Sequence, residues 1–307
     1  LWRRPIPDWG SAAWDAARWR FGKRDQMWSS PLTLPRRLVA AGDQLYMTMG
    51  FTACVSELDA ASGKTLRQFK ETSGAEEILL HDGILLVRVR REQAADAVLA
   101  LDVGSGRVLW DRPAGRMSDL TLAADAARVC FANETGLVAL DLRTGRELWT
   151  LPEPMQPKLI ASAETLVLRD GVALFTRSGL LRAVSMADGK VLWSRKIGAT
   201  FRGPPDVFVA NGTVWCGQSL EGLDLKTGKA TAVGSLGTGL SSAGDLAWVG
   251  ETLYAAVDRG LRCHLVRVDP RTGKATDLGS FHQAAASRPA LEGGAPRPLR
   301  HVADVWG

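Results

Sequence analysis

The sequence predicts an all-β fold, a β-propeller of four-stranded antiparallel blades, and three observations predict it. A corner of the form Leu-Asp-x-x-Ser/Thr-Gly-Lys/Arg recurs six times in 307 residues. Its first position is marked by Asp59, Asp102, Asp141, Ser185, Asp224 and Asp269, so it returns every 39 to 45 residues, the period of propeller blades. Each corner is also preceded by consecutive apolar residues, as in Leu137-Val138-Ala139-Leu140, where a sheet with one wet face would alternate. Such strands must be covered on both sides.

The elements follow in order from the repeat. In VALDLRTGRELW, residues 138–149, an apolar strand reaches Asp141, turns through Leu142 to Gly145 and re-emerges at Glu147-Leu148-Trp149. Glycine supplies the positive φ of the turn, and the aspartate carboxylate accepts hydrogen bonds from the turn amides. Upstream of each corner lies a second hairpin, as in 38–49, 78–89 and 207–217, turning at Gly42-Asp43, Asp82-Gly83 and Asn211-Gly212. Two hairpins make four strands. Six full blades are expected at about 35–70, 76–113, 119–152, 158–197, 205–234 and 239–279.

Eight residues past the corner aspartate stands Trp110, Trp149 or Trp193, a flat ring able to wedge against the next blade. Arg67, Ala232 and Asp277 replace it in the first, fifth and sixth copies, where blade contacts should be weaker or differently packed. Leu1-Trp2 followed by Arg3-Arg4-Pro5 reads as the tail of a repeat, like residues 109–113. Seven blades are expected, six complete and one formed by or truncated at the termini, with eight as the alternative. Residues 1–307 are read as one domain, with 9–34 an inserted aromatic and basic loop and 280–307 a C-terminal closing segment.

Composition adds bounds. The chain is 46% hydrophobic and 23% charged, as folded globular proteins are, and its net charge of +5 comes from Arg and Lys scattered along the whole length. No apolar run approaches the roughly 20 residues that cross a bilayer. The chain starts at Leu1 without a leader pattern, which raises the expectation of a removed signal peptide or an upstream domain. Cys54, Cys130, Cys216 and Cys263 show no metal or redox spacing and read as small strand side chains.

With the repeats written out, the pattern resembles the tryptophan-docking repeat of the pyrroloquinoline quinone-like β-propellers, over nearly the whole chain. That family contains quinoprotein dehydrogenases, which hold the quinone and calcium at the axis with a vicinal disulfide and an aspartate base. It also contains non-catalytic scaffolds of the BamB type and propellers joined to a methyltransferase domain. This chain has no adjacent cysteine pair and no evident set of calcium ligands. The resemblance therefore implies a non-catalytic, rigid protein-interaction scaffold of the bacterial cell envelope or periplasm. A cytoplasmic location is the alternative. Neither cofactor nor metal is expected. The alternative is an oxidoreductase dependent on pyrroloquinoline quinone with calcium, or a propeller accessory to a fused enzyme.

Motifs with chemistry attached are few. Residues 58–65 approach a phosphate loop, but Leu58 stands where glycine is required and a strand follows. His81, His264, His282 and His301 are not at ligand spacing, and no serine nucleophile elbow is present. No catalytic residue is assigned. The arginines of 87–92 (VRVRRE) read as the wet face of an outer strand. One segment breaks the rhythm, residues 9–34, longer than a blade connection needs. Its Trp14, Arg18, Trp19, Arg20, Lys23, Arg24 and Trp28 combine the aromatic and cationic side chains that anchor protein interfaces, and they are the candidate contacts to a protein partner or fused domain. Nucleic acid is not the expected partner.

Overall fold

The structure is a computed structural model that describes residues 2–3, 36–50, 53–91, 95–155, 164–197, 207–216, 221–233, 243–250, 252–259, 262–269 and 274–280. Among them are six four-stranded antiparallel sheets, each a propeller blade, and one short 3-10 turn at Lys70–Thr72. Blade 1 holds β1 (Leu38–Ala41), β2 (Gln44–Thr48), β3 (Val55–Asp59) and β4 (Thr65–Phe69). Blade 2 holds β5 (Ala75–His81), β6 (Ile84–Val89), β7 (Asp96–Asp102) and β8 (Val108–Gly115). Blade 3 holds β9 (Ala123–Asp125), β10 (Arg128–Ala132), β11 (Gly136–Asp141) and β12 (Glu147–Pro152). Blade 4 holds β13 (Leu166–Arg169), β14 (Val172–Arg177), β15 (Leu180–Ser185) and β16 (Val191–Lys196). Blade 5 holds β17 (Val207–Ala210), β18 (Thr213–Cys216), β19 (Glu221–Asp224) and β20 (Ala230–Val233). Blade 6 holds β21 (Ala243–Val249), β22 (Thr252–Arg259), β23 (Arg262–Val268) and β24 (Ala275–Ser280).

Strand order in every blade is sequential, and the first strands of neighbouring blades lie against one another: β1 on β5, β5 on β9, β9 on β13, β13 on β17. All hairpin turns of a blade therefore emerge on one face of the propeller. The loops between second and third strands, and between blades, emerge on the other. The core is a series of interblade layers, because both sheet faces are apolar. Leu85, Val87 and Leu99 of blade 2 pack with Tyr46, Val55 and Phe69 of blade 1. Leu86, Val98 and Ala100 pack on blade 3, against Val129, Phe131 and Leu140.

The corner motif is explained atom by atom. The Asp141 carboxylate accepts from Thr144 N–H at 2.8 Å and from the Thr144 hydroxyl at 2.7 Å, and Gly145 N–H donates to Asp141 O at 2.9 Å. Copies at Asp59, Asp102 and Asp224 repeat this. In the fourth corner, where Ser185 replaces the aspartate, the carboxylate moves three places on. Asp188 pairs with Lys190 Nζ at 2.8 Å, and that hydrogen-bonded lysine drops its pKa to about 2.

After the corner each outer strand of blades 1 to 5 carries a bulge. Leu140 pairs with Glu147 and Ala139 with Trp149, so Leu148 is the extra residue. Leu66, Leu109, Leu192 and Thr231 occupy the same place. The bulge changes which face the following side chain takes, and it aims the tryptophan at the next blade while leaving the leucine exposed. In blade 6 the irregularity moves down the strand, between His264 and Val266, and Asp277 stands opposite Val266. There the bulge that would aim a side chain forward is missing at the eighth position.

One expectation is corrected. Val87–Val89 belong to β6, the second strand of blade 2 and not an outer one, and all six residues of β6 are buried, Arg88 among them, whereas Arg90 and Arg91 beyond its end are exposed. Of the basic residues in 87–92, Arg88 is the one held by an ion pair inside the protein.

Candidate interaction surface

Two sets of contacts fix the surface. The first is a chain of docks on the hairpin face. Trp110 lies over Gly145 of the next corner and donates its indole N–H to Leu142 O at 2.8 Å. Trp149 does the same to Met186 O at 3.0 Å, Trp193 to Leu225 O at 2.9 Å, and Trp2 to Ala60 O at 2.7 Å. The acceptor is always the residue after the first corner position. Glycine is required beneath the ring: its φ is +66° at Gly145, and a Cβ there would fall 2.7 Å from Trp110. Trp2 thus makes, against blade 1, the contact that outer strands make elsewhere.

Two blades depart from this pattern and compensate. In blade 1, Arg67 takes the tryptophan's place and donates to Val103 O at 2.8 Å and Gly104 O at 3.3 Å, over Gly106. Its cross-strand partner changes with it. Ala100, Ala139 and Ala183 lie opposite the three tryptophans, but Glu57 lies opposite Arg67, buried, 3.7 Å from its Nε. In blade 5, Ala232 pairs with Gly222, which pairs in turn with Trp215 of the second strand. An aromatic ring has moved two strands inward, over a glycine that leaves room for it. Trp215 is fully buried and its indole N–H has no acceptor.

The second set holds the loop face. Arg88 reaches Asp96 at 2.8 Å, then Asp119 at 2.7 Å and Met117 O at 3.2 Å in the loop leading into blade 3. From the other side Arg177 of blade 4 binds Glu164 at 2.8 Å and Asn133 O at 2.8 Å, and donates to Glu153 O. The Ser118 hydroxyl closes the circuit on Glu164 at 2.5 Å. The Arg88 and Arg177 side chains are almost wholly excluded from water, so the clamps are rigid. Removing either partner leaves a buried charge, at a cost of about 3–5 kcal/mol. Nearer the axis, Arg36 binds Glu77 and also Leu122 O at 2.7 Å, and Ile78 N–H donates to Arg36 O at 2.8 Å. Burial pushes the Glu77 carboxyl up, against the pull of Arg36.

The predicted contacts Trp14, Arg18, Trp19, Arg20, Lys23, Arg24 and Trp28 lie outside the described residues, as do 281–307. What is described is where that segment rejoins the propeller, at Arg36, on the loop face beside the innermost strands. Sequence reasoning missed Arg88, Arg177 and Glu57. The last had a signal, a charged residue at the alanine position of the repeat, paired with a change at the tryptophan position.

The family model described as outer membrane protein assembly factor BamB matches residues 10–167, 51–209 and 133–292. This chain belongs to that family. BamB from Moraxella catarrhalis has a similar solved structure, with a TM-score of 0.58 at 18% identity over 81% of this chain and 73% of that one. The computationally designed Ika8 protein matches with a TM-score of 0.48 at 15% identity, over 82% of this chain and 87% of its own. No curated protein matches in sequence. In this chain the tryptophan docks hold successive blades, and the Glu57–Arg67 exchange, the relocated Trp215 and the clamped loops depart from the pattern of its own repeats. Among the described residues no group of three His, Cys, Asp or Glu side chains is placed to hold a metal ion. No helix among them is long and apolar enough to cross a membrane.

Proposed function

We propose that the chain is a non-catalytic scaffold of the bacterial cell envelope that binds a protein partner, or another domain of its own polypeptide, through the loop face of the propeller. The observation that carries this reading is the anchorage of Arg36. Two residues past the aromatic and basic segment, Arg36 is tied to Glu77 and Leu122, at the rim where the Arg88 and Arg177 clamps hold the neighbouring loops. A surface held this rigidly lowers the ordering cost of association, so that tryptophan and arginine anchors in 9–34 contribute to binding. The envelope location rests on the description of the matched family.

Site-specific photo-crosslinking in the producing cells tests it. A photoreactive residue at Trp19 should give one discrete adduct, whereas the same group at Leu66, on the far rim, should give none. Equal labelling from both positions, or none from Trp19, would refute the assignment. Cell fractionation that finds the protein outside the envelope would refute the location alone.

A further inference from the structure

We infer that the outer wall of the propeller, made of the corners and fourth strands of blades 1 to 4, is a second interaction surface, and that it binds peripherally to an anionic lipid bilayer. Two separate quantities concentrate there. One is exposed apolar surface. Of the ten large apolar side chains exposed among the described residues, six stand on these strands: Leu66, Val108, Leu109, Leu148, Val191 and Leu192, from 36% exposure at Leu148 to 52% at Leu66. Apolar residues scattered singly over a surface need no explanation. These are not scattered, because the bulge position carries an exposed leucine in four successive blades. The other quantity is charge. Lys and Arg occur along the whole chain, but from the first corner position to the end of the fourth strand blades 1 to 4 hold nine of them against six Asp and Glu, a net +3 of the chain's +5.

The carboxylates of the wall are largely engaged within the protein. Asp59, Asp102 and Asp141 are turned into their own corners, Asp111 pairs with Arg91, and Asp188 pairs with Lys190. Lys64, Arg107 and Arg146, each the residue after a corner glycine, are exposed to solvent. The wall therefore presents one unit, a basic residue two places before an exposed leucine, at Lys64, Arg107, Arg146 and Lys190 in turn. A folded protein partner is asymmetric and engages one such unit. A lipid surface is laterally uniform and engages every unit that faces it, its phosphates taking the cations while the leucines enter the headgroup boundary. Each basic residue held near an anionic surface raises partitioning about fivefold. Nucleic acid also offers phosphates, but nothing that rewards an exposed leucine.

Vesicle co-sedimentation of the full chain tests this. Partitioning onto vesicles of three parts phosphatidylcholine to one of phosphatidylglycerol should exceed that onto phosphatidylcholine alone at least tenfold, and about 0.5 M sodium chloride should remove most of the difference. No binding, or equal binding to both vesicles, overturns the inference without any substitution being made. Two variants then locate the surface. Replacing Leu66, Leu109, Leu148 and Leu192 together by Ser, and separately Lys64, Arg107 and Arg146 by Gln, should each lower partitioning at least tenfold while the melting temperature stays near that of the parent. Trp19→Ala, in the segment assigned to the protein partner, should leave vesicle binding unchanged, so that this inference and the proposed function fail separately. Vesicle binding that is lost with Trp19→Ala and kept in the leucine variant overturns the inference. So does preferential binding of duplex DNA that the leucine variant retains in full.

Discussion

A single indole N–H decides how much each tryptophan contributes. Trp149 is only partly buried but donates to Met186 O, whereas Trp215 is wholly buried and donates to nothing. If buried area ruled, Trp215→Phe would be the costlier change. If hydrogen bonding rules, Trp149→Phe forfeits about 1 kcal/mol and leaves a carbonyl unpaired, while Trp215→Phe removes an unsatisfied donor. Denaturant titration should therefore find Trp149→Phe the more destabilising of the two. The glycine beneath the ring gives a second contrast. Gly189 and Gly171 both have positive φ, +72° and +75°, but a Cβ at Gly189 would lie 2.8 Å from the Trp149 ring and one at Gly171 would meet nothing within 4 Å. Gly171→Ala should cost about 1 kcal/mol through the backbone alone. Gly189→Ala should cost about 3 kcal/mol, since the ring must also move. The corner carboxylates set the acid response. Hydrogen bonds from Ser62, Ser105, Thr144 and Thr227 hold Asp59, Asp102, Asp141 and Asp224 below the ordinary aspartate value of 3.8. A depressed folded-state pKa gives stability that is complete above the unfolded value and is lost as pH falls through the folded one. Melting temperature should thus be insensitive to these groups near neutrality and fall below pH 3.8. Asp141→Asn should reduce that fall.

At the level of the element, the outer strand depends on one extra residue. The Leu before each Trp is the bulge, and its side chain is exposed, so its presence matters and its identity does not. Leu148→Lys should stay within about 0.5 kcal/mol of the parent. Deleting Leu148 turns Trp149 to the other face of the blade and should abolish the dock on blade 4, a loss that differential scanning calorimetry would register as a sharply lower melting temperature. The sequence shows the corners, hairpins and blade limits plainly because these are local: an aspartate and a glycine four residues later need only each other. The bulge is not visible, since a run such as Glu-Leu-Trp reads the same in either register. Arg88 was misread for a related reason. Its partners Asp96 and Asp119 lie across a strand and in another blade's loop, and a local pattern of apolar and basic residues cannot distinguish water from a buried carboxylate. The candidate site was legible only as composition, an aromatic and basic run, and the clamps that surround its anchorage were not.

For the whole molecule, the axis is where a quinone would sit in the dehydrogenase members that the sequence resembles, so the polar groups there bear on cofactor binding. Four residues before the end of each first strand stand Arg37, Glu77, Thr121 and Thr165 in blades 1 to 4. Glu77 already accepts from Arg36 and from Leu122 N–H at 3.2 Å. Thr121 donates to Ser118 O at 2.8 Å and accepts from Ala132 N–H at 3.2 Å, and Thr176 N–H donates to Thr165 O at 3.0 Å. These contacts occupy part of the hydrogen-bonding capacity of the inner groups, and the chain has no adjacent cysteines to form the vicinal disulfide of the dehydrogenases. A ligand that binds the folded state at a hundred times its Kd adds about 2.7 kcal/mol of stability, a rise of roughly 4 °C in a protein of this size. Pyrroloquinoline quinone with calcium should leave the melting temperature where it is, and no dye reduction should follow when an alcohol is added. A rise of several degrees that needs both quinone and calcium would mean that the inner strands rearrange to release Glu77, and Glu77→Gln should then abolish the rise.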